Sequence, residues 1–231
     1  MRDRFAGSVM IAANGPDSII WWSWVGDHID DIMFRLRQHI TLTVVSVVLG
    51  VLIALPLAIV ASRRRVFYPP LLVVGSILYT IPSLAAFVLL IEWFSNRDAA
   101  LIVLTSYTIL VLVRNTVTGL DGVPAEINEA AQGMGYSPMR RLVRIELPIA
   151  VPSIIAGIRI ATVTNVGLVT VAALIGQGGL GALILDGLRR DFSTPLMVGA
   201  LLSVMLAVVL DLGLLGVQRL ATPWQRRGAR S

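Results

Sequence analysis

Long apolar runs alternate with short polar stretches along the chain, and five of the runs read as membrane-crossing helices. About 20 helical residues span a hydrocarbon core. Residues 39–61 fit, and are closed by Arg63, Arg64 and Arg65. Residues 71–94 fit, with Pro69 and Pro70 ahead of the run and Pro82 inside it. Residues 99–113 form a shorter run closed by Arg114; 149–175 make a fourth that ends in glycines, and 195–217 a fifth. Between the third and fourth runs lies a polar stretch, 114–148. The pattern predicts an all-α polytopic membrane protein with a transmembrane domain over 39–222. A leader over 1–38 precedes it, and a basic tail over 223–231 follows.

Composition sharpens this reading. Apolar residues make up 56% of the 231, and charged ones only 14%, well below the quarter or so typical of soluble domains. All 19 basic residues are arginine. Without lysine there is no P-loop lysine, so the chain is not itself a Walker-type ATPase. Without cysteine, disulfides, thiolate metal sites and a cysteine nucleophile are excluded. The net charge of +5 reflects arginine held in cytoplasmic loops rather than nucleic-acid binding, because no basic stripe lies on a soluble segment large enough to fold.

Five spans put the termini on opposite sides. The clusters at Arg63–Arg65, Arg114, Arg140, Arg141, Arg144 and the tail outnumber the arginines of the other side. Those are interleaved with Asp27, Asp30, Asp31, Asp98, Asp186 and Asp191. The bias predicts the N-terminus outside and the C-terminus in the cytoplasm. In the leader, Val9 to Ala13 is too short for the apolar core of a signal peptide. Residues 17–37, rich in tryptophan, are expected to form a helix lying on the outer surface.

The stretch after Arg114 carries the most specific local signals. Pro124 suits the first turn of a helix running to about Gln132. On it Glu126, Glu129 and Ala130 share one face, and Ala130 and Ala131 offer a small-residue surface to another backbone. Gly133 and Gly135 break the helix, and Gly135 can take a positive φ for a sharp turn, next to Tyr136. Ser137 and Pro138 then read as the N-cap and first residue of a second helix, which Pro148 is expected to end. The prediction is a rigid helix–turn–helix standing out of the cytoplasmic face.

Glu129-Ala130-Ala131, three residues, Gly135, nine residues, then Ile145-x-Leu147-Pro148 matches the EAA signature of ABC importer permeases at every fixed position. The chain resembles that family, of the five-span type I plan. The resemblance implies that the first short helix is a coupling helix seated in a nucleotide-binding subunit. Docking residues would be Glu126, Glu129, Ala130, Ala131, Gly135, Tyr136 and Ser137.

From about 39 to 223 the chain is further similar to osmoprotectant permeases, which import glycine betaine, carnitine, choline or proline betaine. The matching stretches are Thr80-Ile81-Pro82-Ser83-Leu84-Ala85, Arg114-Asn115-Thr116-Val117-Thr118-Gly119, Ala156-Gly157-Ile158-Arg159, Gly178-Gly179-Leu180-Gly181, and Asp211. Methionine-type permeases share the five-span plan and the glycine cluster, and stand as the alternative. What the resemblance implies is alternating access in the bacterial plasma membrane. Two nucleotide-binding subunits would supply ATP and Mg, with a second permease subunit and an extracytoplasmic substrate-binding protein completing the assembly. No cofactor is expected in this chain, and no catalytic or metal site.

Polar residues inside apolar spans face a bundle interior or a cavity. Ser76, Tyr79, Thr80 and Ser83 share one face of the second predicted span, and Thr162 and Asn165 lie with Arg159 on one face of the fourth. These are candidates for a translocation path, or else for hydrogen bonds that hold the bundle together. Arg159 and Asp211 fall ~15 and ~14 Å in from the same side by helical rise, which predicts an intramembrane ion pair. Gly176-Gln177-Gly178-Gly179-Leu180-Gly181 has dinucleotide spacing but follows a membrane span, not a strand. Gly176, Gly178, Gly179 and Gly181 are candidates for an external gate. His28 and His39 flank a surface segment and lack partners at metal spacing. An intramembrane hydrolase would need paired histidines or carboxylates within the spans. A proton-coupled carrier would lean on Asp211 or Glu92, without a docking hairpin.

Overall fold

The computed structural model describes residues 20–223, and those residues are helical almost throughout. A short α1 (Trp22–Asp27) leads into a long α2 (Ile29–Arg63). Two shorter helices, α3 (Tyr68–Thr80) and α4 (Ser83–Leu90), precede α5 (Asn96–Asp121). Then α6 (Ala125–Gly133) and α7 (Pro138–Arg141) form a hairpin. The second arm runs on through a π-helical segment, Leu142–Glu146, into α8 (Leu147–Val171). A 3-10 turn, Ala172–Ile175, leads to α9 (Leu180–Arg190) and α10 (Ser193–Ala221).

The core is built by α2, α5 and α8, with α10 and α9 against one side. Small residues let the backbones approach. Ala54, Ala58 and Ala61 of α2 are wholly buried against Leu112, Val113 and Val117 of α5. The outward faces are apolar too: Leu52, Ile77, Val204 and Val209 are all exposed. Such a surface suits lipid or another protein rather than water. Among the described residues four helices are long and apolar enough to cross a membrane, and the pair α3–α4 makes a fifth if it counts as one broken span.

Several boundaries differ from those the sequence predicts. Of the surface helix expected over 17–37, Trp22–Asp27 is a separate short helix with no buried residue, whereas 29–37 is the start of α2. Ile29–Arg63 is one helix, because nothing between Ile29 and His39 breaks it. Ile32 is buried with Leu180, Leu183, Val166 and Leu206, so these turns belong to the bundle. Residues 17–19, the Val9 to Ala13 run and most of the basic tail lie outside the described residues.

The second span, expected as one helix over 71–94, bends by 91° between Thr80 and Ser83. Ile81 is extended, with ψ of 123°, as a residue before proline prefers. Pro82 has no N–H to return to the helix. The hydroxyl of Tyr107 donates to the Ile81 carbonyl at 2.6 Å and supplies a partner at the break.

Arg114 does not close the third span. Helix α5 continues two turns to Asp121; Gly119 within it packs closely on Ser153 and Ala150, and Thr116, Val117 and Leu120 are buried. Nor does Pro148 end the hairpin. Its ring would press on the carbonyl four residues back in an ordinary helix. The wider turn just ahead, in which the Leu147 N–H donates to the Leu142 carbonyl, makes room for it. The second arm and the fourth span are therefore one continuous rod.

Candidate functional site

The hairpin of α6 and α7 is made by local chemistry. Gly135 has φ of +79°, a conformation that costs other residues about 1 kcal/mol or more. Around it the Gly135 N–H donates to Gln132 O at 2.9 Å and the Tyr136 N–H to Ala131 O at 3.1 Å. This pair of bonds closes a Schellman turn and satisfies carbonyls at the end of α6. Ser137 caps α7, its hydroxyl accepting from the Arg140 N–H, and Pro138 follows at the first helical position. The Arg140 guanidinium stacks over the Tyr136 ring, 4.8 Å from its centroid. Glu126, Glu129, Ala130, Gly135 and Ser137 are exposed, and Tyr136 is half-buried. Ala131 is buried inside the hairpin, so of the two alanines only Ala130 faces outward. Ile127, Met134 and Met139, absent from the predicted docking set, are large, apolar and exposed on the hairpin. Their only signal in the sequence is apolar side chains on an otherwise polar hairpin.

Both feet of the hairpin meet the end of α2. Glu146, in the π segment, is only 3% exposed. It receives Arg63 from α2 on one oxygen and, on the other, Arg141 Nε from its own arm at 2.8 Å. At the other foot Arg65 donates to both carboxylate oxygens of Asp121, at 2.8 and 2.6 Å. In the sequence Arg63 and Arg65 read only as the boundary of a span.

At the opposite end of the bundle the glycine run forms a second turn of the same kind. Gly176, at φ of +80°, and Gln177 donate to Ala173 O and Ala172 O, each at 3.0 Å. Gly178 packs on Ala173 and Gly181 on the Thr170 carbonyl. Gly179, at φ of +44°, lies so close to α2 that a Cβ there would stand 2.8–2.9 Å from the backbone and Cβ of His39. His39 is not at a surface segment; it is wholly buried. Its Nε2 meets the Val166 carbonyl at 3.1 Å, and its Nδ1 accepts the Leu180 N–H at 3.3 Å. Asn96 Nδ2 donates to the Ile175 carbonyl at 2.7 Å and ties the start of α5 to the same turn. His28 remains exposed and stacks on Trp24.

The polar residues of the spans separate into two groups. Ser76, Tyr79 and Thr80 are exposed on α3, and Ser83 is half-buried beyond the bend; the Tyr79 ring packs against Tyr107 at 4.9 Å. Thr162 and Asn165 share no open face with them. Asn165 is fully buried and donates to Ser46 and Thr108, each at 2.9 Å, joining α8 to α2 and α5. Thr162 donates to the Ile158 carbonyl of its own helix. Thr162 also lines an apolar groove with Thr43, Val47, Ile158 and Leu210. The structure brings Arg159 and Asp211 together: Nε and Nη2 donate to the two carboxylate oxygens, each at 2.8 Å. The pair links α8 to α10 and faces a groove with Ala156, Ile160, Val163 and Thr164.

The chain is 40% identical over 192 residues to the osmoprotectant import permease protein OsmW of Salmonella typhimurium, covering 80% of this chain and 89% of that one. It is 35% identical over 194 residues to the choline transport system permease protein OpuBB of Bacillus subtilis, covering 84% and 89%. Its fold is similar to that of a chain of the MetNI methionine ABC transporter in an inward-facing conformation. There the TM-score is 0.72 at 22% identity, over 87% of this chain and 98% of that one. Residues 46–227 match the model of one family along most of the chain. The chain belongs to the binding-protein-dependent transport system inner membrane components.

Proposed function

We propose that this chain imports a compatible solute, such as glycine betaine, carnitine, choline or proline betaine, as the permease subunit of an ATP-driven transporter. One observation carries the mechanical part of the reading. The hairpin is exposed and internally capped, and it continues without a break into the fourth span. A push on it therefore reaches the bundle directly. The substrate class is supported by the relatives, two of which carry osmoprotectant and choline transport in their names. The methionine transporter shares the fold alone at its low identity.

In this reading two ATPase subunits, holding ATP and Mg, dock on the hairpins of two permease subunits. Glu126, Glu129, Ala130, Gly135, Tyr136 and Ser137 form the contact, widened by the exposed Ile127, Met134 and Met139. Ala131 supports it from inside. The hairpin faces the cytoplasm with the C-terminus, and the turn at Gly176, Gly178, Gly179 and Gly181 faces outward as the external gate, toward a substrate-binding protein. Ser76, Tyr79 and Thr80 line the path, while Arg159 and Asp211 hold α8 to α10. A charge of either sign left alone at that depth is poorly tolerated, so the pair is structural.

The test is co-purification with the ATPase subunit after co-expression. Ala130 is exposed on α6, so Ala130→Trp leaves this chain's own packing intact. It is expected to abolish the association and solute uptake together. Undiminished association in that variant would overturn the docking assignment. Uptake of labelled choline or glycine betaine into vesicles holding the whole complex tests the substrate class separately.

A further inference from the structure

The triple-arginine run at the end of α2 does more than mark a membrane boundary. Arg63 lies in the last turn of α2 and Arg65 in the 3-10 turn that follows, Arg65–Phe67. Their side chains diverge. Arg63 goes to Glu146 at the foot of the second hairpin arm, 83 residues away in sequence, and Arg65 to Asp121 at the foot of the first, 56 residues away. Arg141 joins Arg63 on the buried Glu146 from within the hairpin. One short stretch, the last turn of α2 and the 3-10 turn after it, therefore grips both places where the hairpin leaves the bundle.

From there α2 runs to His39, about 36 Å away by helical rise. At that level its side chain meets Leu180 N–H and Val166 O, and its backbone abuts Gly179. A single helix, with no chain connection to the hairpin of its own, touches the hairpin's feet at one end and the glycine turn at the other.

We propose that Arg63 and Arg65 clamp both feet of the docking hairpin to α2, and that α2 thereby carries the hairpin's displacement to the glycine turn at the opposite end. The proposal rests on the reading of the hairpin as the ATPase docking site. The chemistry suits the task. A carboxylate held by a planar guanidinium through two parallel bonds is fixed in direction as well as distance. The Arg65–Asp121 pair is largely exposed, where ion pairs add little to stability, so its value lies in position. Glu146 is buried and sits inside a π segment, a kind of irregularity that recurs at working sites in helices.

The experiment uses the assembled complex. The chain has no cysteine, so Leu174→Cys, at an exposed position beside the glycine turn, takes a single spin label. In the otherwise unaltered complex, addition of ATP is expected to change the label's mobility. Arg65→Asp and Asp121→Arg, each alone, are expected to retain the ATPase subunit but to show a clearly smaller ATP-dependent change, leaving only what the fourth span carries directly. The double variant R65D/D121R is expected to regain the full change. Glu146→Gln is expected to act in the same way at the other foot; the exposed pair keeps the test readable if that buried variant does not accumulate. An undiminished change in both single variants overturns the clamp, and so does a double variant that fails to recover. Loss of the ATPase subunit from the single variants overturns it as well, because the ion pair would then shape the hairpin rather than transmit its movement. Failure of the unaltered chain to bind the ATPase subunit would instead sink the docking reading beneath it.

Discussion

The fourth span carries the same turn at each end, and the two turns are used in opposite ways. Gly135 and Gly176 both take a positive φ near 80° and both close a Schellman pair of bonds. A side-chain carbon at Gly135 would meet nothing within 4 Å. Around Gly176 the chain folds straight back onto itself, and Gly178, Gly179 and Gly181 stand where a Cβ would strike neighbouring backbone. The first turn presents a surface, and its glycine answers only to its own dihedral angle. The second is wedged among α2, α8 and the 3-10 turn, and its glycines answer to everything around them.

The sharpest way to break this comparison is Gly179→Val. It combines strained dihedral angles with contact against the His39 backbone, and is expected to cost on the order of 3 kcal/mol or more. Thermal unfolding of the detergent-solubilised chain would register this as a large fall in midpoint or as failure to accumulate. His39→Leu comes next. It leaves the Leu180 N–H without its acceptor, for a cost of about 1–3 kcal/mol in the same measurement. The smallest effect is expected at Gly135→Ala, about 1 kcal/mol from the dihedral angle alone. Gly135→Asn should recover most of it, since asparagine enters the left-handed region with less penalty. Equal losses at Gly135 and Gly179 would mean that the two turns are not different in kind.

What could be read in the sequence follows the range of the forces involved. The hairpin was legible because caps and turns are decided within four residues: Pro124, Gly135, Ser137 and Pro138 each act on their immediate neighbours. The number of apolar runs was legible for the same reason. The bend at Pro82 was not, because a proline inside an apolar run can either kink a helix or end it. Here the break is met by the Tyr107 hydroxyl, 26 residues on from the Ile81 whose carbonyl it bonds. Asn165 looked like a path residue because helical periodicity gives a face but not what the face meets; its partners Ser46 and Thr108 come from two other helices. Glu146 was hidden more completely. It occupies the one unspecified place in the Ile-x-Leu-Pro part of the signature, and both the arginines that meet it and the π turn that orients it depend on the tertiary fold. The amphipathic α9 went unpredicted beyond its first glycines, though Leu180, Leu183 and Arg190 carry a helical spacing.

The π segment also fixes an angular offset. A π turn holds one residue more than an α turn between the same two levels of the rod. Each helical residue advances the direction of side chains by about 100°. Leu142–Glu146 therefore works as a one-tooth shift in a gear train. It sets the azimuth at which the hairpin points relative to the faces of the span that carry Asn165 and Arg159. A chain with an ordinary α turn in its place would need one residue fewer to present the same faces to the bundle. The bearing of the hairpin is thus written in residue number, at the very residue the arginines hold.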